Sequence, residues 1–356
     1  MSDPVLLQSV ERVLEDVCTH ESIQAAEQSG WAPEIWQALA GVGLPWLGLD
    51  ERAGGTGGEL GDALEVLRIA GRHALPAPLA ETGLLAGWLA SGAGLSLGSG
   101  PVAPAPVRPD EVLELEGGRL SGRASRVPWA RAAERIAALA RTGQGWAVAL
   151  VDPSAATLEP RVNLAGEPRD GLRFDAVEVE SWAPAAPGVD PAALQYRGAL
   201  TRVMLMSGAL ERMSELTLEY TAERHQFGRP VGRFQAVQQY LVSAAQDAAL
   251  VGMAGRVAAR EAERGPARFE IGAAKLLANR AAHSATRAAH QAHGAMGMTR
   301  EYPLHHWSRR LWAWRSEYGD ELAWSGRLGR EVAAAGADAL YPTIAGGSAA
   351  GSPRDP

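Results

Sequence analysis

Long helical patterns fill the C-terminal half of the chain and limit the folds it can adopt. From Ala193 onward, apolar residues recur at helical spacing. One face of the first stretch carries Leu200, Val203, Met204, Ser207 and Leu210. A second stretch is broken at Gly265-Pro266, and three more follow. Because alanine-rich helices with short connections pack closely, we expect a C-terminal bundle of four or five helices.

The middle of the chain has a different period. VLELEGG and LRFDAVEVE alternate between apolar and polar residues, and RIAALAR and WAVALVD flank a TGQG turn as in a hairpin. We therefore predict an N-terminal helical domain over 1–95, a reduced β domain over 96–190, a helical bundle over 191–340 and a disordered tail over 341–356. This order of elements defines an α+β fold class.

Charge and cysteine content exclude several classes of protein. The formal net charge of −7 argues against general binding to nucleic acid or to an anionic membrane. The sequence has no apolar run near about eighteen residues, so it predicts no membrane span. Cys18 is the only cysteine, which rules out an intrachain disulfide. The single cysteine and an N-terminus unlike a signal peptide together favour a cytoplasmic location.

The stretch AERHQFGRPVGRFQAVQ concentrates arginine at a turn between two helices. Arg224, Arg229 and Arg233 lie among glycines, and a new helix is expected near Phe234-Gln235. A guanidinium is a planar fork that suits phosphate oxygens. The alternative is a plain helix–loop–helix with arginines near a helix C-terminus, where positive charge is favoured.

The stretch QAHGAMGMTREYPLHHW contains a second turn. The third helix is expected to end at Gln291, and Gly294 and Gly297 permit positive φ and close approach by a cofactor. Glu301-Tyr302-Pro303 then restarts a helix. Taken alone, this pattern also fits a glycine cap followed by an ordinary helix start.

Together the two stretches resemble the acyl-CoA dehydrogenase family. The pattern R-x-x-F-G…F-Q is matched by Arg224, Phe227, Gly228, Phe234 and Gln235. The pattern Q-x-x-G-x-x-G…E-Y-P…R is matched by Gln291, Gly294, Gly297, Glu301, Tyr302, Pro303 and Arg309. The resemblance is strong over about residues 195–330, fair over 1–90 and poor between them.

The resemblance implies a three-domain flavoenzyme that desaturates an acyl-CoA thioester, with an electron-transfer acceptor as a further partner. FAD would lie extended at a subunit interface. Arg224 and Gln235 would contact the FAD diphosphate of the neighbouring subunit, and Gln291 the adenosine part. The candidate cofactor-binding residues are Arg224, Phe227, Gln235, Gln291, Gly294, Gly297 and Asp320.

The chain departs from the family where the catalytic base is expected. The family's base is the glutamate of an E-G-T motif, and counting forward from Gln291 places Tyr318 there. Glu317, one residue earlier, is the candidate catalytic residue. Some relatives place the acid on the first long helix of the last domain, where this chain has Gly198. The main-chain N–H at the base position, a donor to the thioester oxygen in the family, survives substitution of the side chain.

The β domain departs as well. The family's flavin-facing W-x-T falls near RASRVPWA, with Arg126 and Pro128 at the two places and Trp129 just beyond. This segment is therefore not expected to surround the isoalloxazine ring of FAD as the corresponding segment does in the family.

Three explanations remain open, and we favour the first. In the first, the chain is one half of a heteromeric dehydrogenase, such as those of sterol side-chain degradation, and its partner supplies the catalytic base. Alternatively, a homomeric enzyme uses Glu317 after a one-residue slip, which demands local rearrangement because one helical residue rotates a side chain by about 100°. The third possibility is a non-catalytic scaffold that binds acyl-CoA or a partner protein.

The other titratable residues have simpler explanations. Glu317, Asp320 and Glu321 are expected at the positive start of the last helix, with Asp320 as its N-cap. No carboxylate or cysteine joins the histidines of residues 283–306 at metal-ligand spacing, so no metal site is predicted.

Overall fold

The computed structural model describes residues 4–346 and divides into two compact units. The first unit ends at Thr201 and the second begins at Arg202. Among residues 4–346, no helix has the length and apolar character needed to cross a bilayer.

Helices precede the sheet in the first unit. They are α1 (Pro4–Val17), α2 (His20–Ser29), α3 (Pro33–Gly41), α4 (Leu60–Arg72), a π-helical segment (Ala80–Gly87) and α5 (Trp88–Gly92). Local chemistry explains several boundaries. The Thr19 hydroxyl accepts a hydrogen bond from Ser22 N at 3.2 Å where α2 begins, and Gly30 ends it with φ 76°.

One eight-stranded sheet follows these helices in the first unit. Its strands are β1 (Val102–Ala105), β2 (Leu113–Glu116), β3 (Arg119–Pro128), β4 (Arg135–Thr142), β5 (Gly145–Val151), β6 (Thr157–Glu159), β7 (Arg169–Glu178) and β8 (Ser181–Pro184). The order is β6-β7-β3-β2-β4-β5-β8, with β1 also paired to β4. The predicted hairpin around TGQG is confirmed, because β4 and β5 pair antiparallel up to Thr142 and Gly145.

The core of the first unit follows from the alternation of the strands. Leu113, Leu120 and Ile136 are fully buried on one face of the sheet. On the other face, Ala137 and Leu150 pack with helical residues. The helical segment and the sheet therefore share a hydrophobic core within this unit.

Long helices make up the second unit. They are α6 (Pro191–Glu223), which begins in the first unit, α7 (Gln235–Ala262), α8 (Arg268–His293), α9 (Leu304–Trp314), α10 (Glu321–Ala335) and α11 (Leu340–Gly346). A short hairpin, β9 (His225–Gln226) with β10 (Arg229–Pro230), joins α6 to α7. The buried face of α8 is rich in alanine, which lets neighbouring helices approach closely.

The α+β fold class is confirmed, and two expectations about helix ends are corrected. Helix α8 continues past Gln291 to His293, because Gly294 is the residue that takes a positive φ, 60°. Helix α11 occupies the start of the predicted disordered tail, where Leu340, Tyr341 and Ile344 follow helical spacing. The remainder of that tail, 347–356, lies outside the described residues.

Candidate functional site

Arg224 lies directly before the hairpin that joins α6 to α7. Phe227 and Gly228 form its tip, with φ 52° and 79°. Two successive positive values match the tight turn that suits a two-residue hairpin. Val231 N donates to Arg224 O at 2.8 Å and closes the base of the turn. The Arg224 side chain is thus exposed beside the end of α6.

The chain also reverses where α8 ends. Gly294 has open space where a Cβ would project. Gly297 is different, because a Cβ there would lie 2.9 Å from the Cβ of His293. Gly297 is therefore needed for packing, while Gly294 leaves room for another molecule.

These two turns meet at one cleft of about 380 Å³ within the second unit. Residues of both turns line it, including Arg224, Gln226, Phe227, Phe234, Gln291 and Gly294. Two motifs that are far apart in the sequence thus form a single concave surface with a guanidinium and amides among apolar side chains.

The cleft contains four of the predicted cofactor-binding residues, Arg224, Phe227, Gln291 and Gly294. The other three lie elsewhere. Gln235 is exposed at the first position of α7, and Gly297 is buried. Asp320 caps α10, as its N-cap prediction required, by accepting from Ala323 N at 2.8 Å.

His293, which the motif comparison did not single out, also lines the cleft. Its ring stacks on Tyr220 with centroids 4.5 Å apart. Nδ1 lies 2.8 Å from Ala289 O and must donate, since a carbonyl can only accept. The buried Nε2 has no hydrogen-bond partner among the described residues. Burial lowers the pKa of His293, so Nε2 is favoured as an unprotonated acceptor.

This donor set fits a phosphate-bearing nucleotide. Arg224 offers a planar fork for phosphate oxygens, and Gln291 offers an amide. Phe227 and Phe234 lie 6.1 Å apart, edge to face, and provide apolar wall. Nε2 of His293 is a polar atom that lacks a partner within the described chain. The cleft can therefore hold an anion together with a flat apolar group.

The turn between α9 and α10 contains the second group of candidate residues. Tyr318 is 6% exposed and has φ 54°, a rare conformation for a bulky side chain. Glu317 precedes the cap of α10 by three residues, so the expectation that the helix dipole stabilises it is wrong. Its carboxylate instead lies 2.6 Å from Nε of Arg202, a residue only 1% exposed.

Lys275 on α8 is a residue that the motif search missed. It is fully buried, and Nζ donates to Asn279 Oδ1 at 2.6 Å. Nζ also donates to the carbonyls of Trp314, Arg315 and Gly319 at 3.3, 3.2 and 3.1 Å. Burial lowers its pKa to about 7. One sequence signal was available: among 34 lysine and arginine residues, this is the only lysine.

The strand that matches the flavin-facing segment of the family has an irregular backbone. The pairing of β3 with β7 shifts register between Ala124 and Val127. Arg126, at this bulge, is exposed with φ 56°. Trp129 is buried, 6.3 Å from the ring centre of Trp31, so it does not present its ring on the surface.

Comparison with known proteins places the chain among oxidoreductases. The family model for the C-terminal domain of acyl-CoA dehydrogenases matches residues 194–319. Acyl-CoA dehydrogenase FadE28 of Mycobacterium tuberculosis is 30% identical over 76% of this chain and 84% of its own length. Acyl-CoA dehydrogenase IpdE2 of the same organism is 29% identical over 80% of this chain and 82% of its own length.

A solved structure shows the same architecture. A chain of the ChsE4–ChsE5 complex from Mycobacterium tuberculosis superposes with a TM-score of 0.85 at 24% identity, covering 92% of this chain and 96% of that one. Fold and sequence together define an oxidoreductase of a class whose general cofactor is FAD. The chain belongs to the acyl-CoA dehydrogenase family.

Proposed function

We propose that this chain is a subunit of an FAD-dependent acyl-CoA dehydrogenase in which a second chain of the same family supplies the catalytic base. The observation that carries this proposal is the ion pair between Glu317 and Arg202. Tyr318 occupies the position of the family base, and a phenol is a poor base near neutral pH. The neighbouring carboxylate is already engaged by a buried guanidinium, and that pair must break before Glu317 can accept a proton.

The cleft supports a role in holding FAD. Arg224 would bind the diphosphate, and Gln291 with the open backbone at Gly294 would receive the adenosine part. His293 would offer its Nε2 as an acceptor for a nucleotide hydroxyl or amino group. FAD held there would supply the acceptor for the β hydrogen of the acyl-CoA as hydride, while a carboxylate of the partner would remove the α proton.

Exposed apolar residues on α7 support an assembly with another chain. Val242, Leu250, Met253 and Val257 are 55%, 42%, 56% and 39% exposed, and their spacing puts them on one face of the helix. Gln235 precedes Val242 by two helical turns and lies on the same face. Its position outside the cleft of its own chain suits contact with a nucleotide bound by the neighbour.

The second chain is proposed to be different from this one. ChsE4–ChsE5, whose fold this chain shares, is a complex of two named proteins. A homomer of this chain would have Tyr318 at every base position. A partner with an intact E-G-T glutamate supplies what this sequence lacks. Cys18 is the only cysteine of the sequence and forms no intrachain disulfide, which suits a reducing cytoplasm as the location.

The test is to purify this chain alone and together with a second acyl-CoA dehydrogenase-like chain of the same organism that has an intact E-G-T glutamate. We expect flavin absorbance and acyl-CoA-dependent bleaching only in the mixed preparation. Replacing the partner's glutamate by Gln should abolish bleaching, whereas Glu317→Gln in this chain should leave its chemistry intact. Bleaching by this chain alone that is lost in Glu317→Gln would instead establish a homomeric enzyme.

A further inference from the structure

Lys275 differs in residue type from the other basic side chains of this chain. Arginine supplies every other basic side chain except histidine. The single lysine occupies a site where nothing of the residue is exposed. An ammonium is a compact donor of three hydrogen bonds, whereas a guanidinium is a larger planar fork. The site therefore selects a small cation that several acceptors can surround.

The three main-chain acceptors around Lys275 lie on both arms of the α9–α10 turn. The carbonyls of Trp314 and Arg315 precede Tyr318, and the carbonyl of Gly319 follows it. Asn279, one helical turn further along α8, donates from Nδ2 to the same Gly319 carbonyl at 3.3 Å. Two side chains of one helix thus hold the main chain on either side of Tyr318.

Contacts from Trp324 of α10 also fix the same backbone. Trp324 Nε1 donates to the Tyr318 carbonyl at 3.1 Å. A Cβ at Gly319, where φ is 104°, would lie 2.5 Å from that indole nitrogen. Such a left-handed Tyr-Gly pair costs free energy, and it persists only where the surroundings determine it.

The charged groups near Lys275 come from several elements. Arg202 of α6 and Arg315 at the end of α9 are positive, while Glu317 in the turn and Asp320 at the cap of α10 are negative. Arg202 and Glu317 pair with each other. When Lys275 is protonated, it is therefore a buried positive charge beside the main chain of the turn.

We propose that Lys275 is a positioning residue, which holds the turn so that the main-chain N–H of Tyr318 can donate a hydrogen bond to the thioester oxygen of an acyl-CoA. The turn itself supplies no base, and the buried cation favours the negative charge that develops on that oxygen when the base of the partner removes the α proton. This role rests on the proposed function of the chain as a dehydrogenase subunit.

The single lysine allows a direct test. This chain is labelled with lysine carrying 13C at Cε and assembled with its unlabelled partner, so that one resonance reports on Lys275. The resonance is titrated with pH, with and without acetoacetyl-CoA, a ligand whose α carbon loses its proton to solvent without a strong base. Because a nearby enolate favours the ammonium, we expect the midpoint to rise by about one pH unit on binding.

Variants test the same role by affinity. Lys275→Met should weaken acetoacetyl-CoA binding about tenfold, since it removes charged hydrogen bonds to the turn. Arg330→Met, which removes an exposed cation on α10, away from the turn, is the matched control and should bind normally. Should Lys275→Met fail to fold, Asn279→Asp keeps the acceptor for Lys275 but loses the donor to Gly319, and it should also weaken binding.

The outcomes separate the two proposals. A flavin-containing assembly that binds acetoacetyl-CoA with an unmoved lysine midpoint, and with equal affinity in the folded variants, overturns the positioning role alone. A wild-type assembly that holds no flavin and binds no acetoacetyl-CoA overturns the dehydrogenase proposal and the positioning role with it. A raised midpoint with weakened variants supports both.

Discussion

Arg224 is the residue whose side chain decides whether the cleft binds an anion. We expect Arg224→Ala to lower flavin retention about tenfold in the assembled protein, because a charged hydrogen bond to phosphate is lost. The measurement is flavin absorbance per polypeptide after gel filtration. Arg233→Ala is the matched control, since Arg233 is exposed at the same turn but does not line the cleft. Equal loss of flavin in both variants would indicate that the positive charge of the turn, and not a specific contact of Arg224, retains the flavin.

Lys275 gives the stability of the protein a pH dependence of known sign. Burial lowers its pKa from 10.5 to about 7 in the folded chain. Below pH 7 the lysine is protonated in both states, but between about 7 and 10 the unfolded chain binds more protons. The free energy of unfolding should therefore rise with pH across this range, by up to about 1.4 kcal/mol per pH unit from this group.

The comparison with Lys275→Met isolates that contribution. Urea unfolding at pH 7 and at pH 9 should show wild type gaining about 1–3 kcal/mol relative to the variant as pH increases. A difference that stays constant with pH would mean that Lys275 titrates normally. Arg330→Met should follow wild type at both pH values.

At the scale of elements, the turn between α9 and α10 depends on its glycine. Gly319→Ala would place a methyl group against Trp324 in a left-handed backbone, so we expect destabilisation on the order of 2–3 kcal/mol. Gly329→Ala is the control, because Gly329 lies in α10 with open space around it. That variant should be neutral or stabilised by up to about 1 kcal/mol, as alanine favours helix over glycine. The free energies of unfolding of both variants, measured by chemical denaturation, test these two expectations.

The elements themselves were largely predictable, because their signals are local. Gly265-Pro266 ends α7 nearby, at Ala262, and Asp320 caps α10 as its sequence position indicates. The end of α8 was misplaced by two residues because Ala292 and His293 do not oppose helix, so the helix continues until Gly294. Periodicity thus locates an element more reliably than its last residue.

The candidate site was predictable only in part, because it depends on tertiary contacts. Motif spacing identified Arg224 and Gln291, which the fold brings to one cleft. It could not show that Gln235 points elsewhere, or that Glu317 pairs with Arg202, more than a hundred positions earlier in the chain. Lys275 carries no motif at all, and only its uniqueness in the sequence distinguishes it.

At the scale of the whole molecule, the exposed face of α7 argues that this chain works in an assembly. Apolar side chains of this size, repeated along one helical face, favour burial at roughly 25 cal/mol per Å². We expect Met253→Asp, in the middle of that face, to lower the apparent mass of the assembly in light scattering and to release flavin. Val5→Asp makes the same change at an exposed apolar residue of α1 and should leave the mass unchanged. A Met253→Asp protein that keeps both its mass and its flavin would show that α7 is not the contact surface, and the contribution of Gln235 to a neighbour's nucleotide would then have no structural basis.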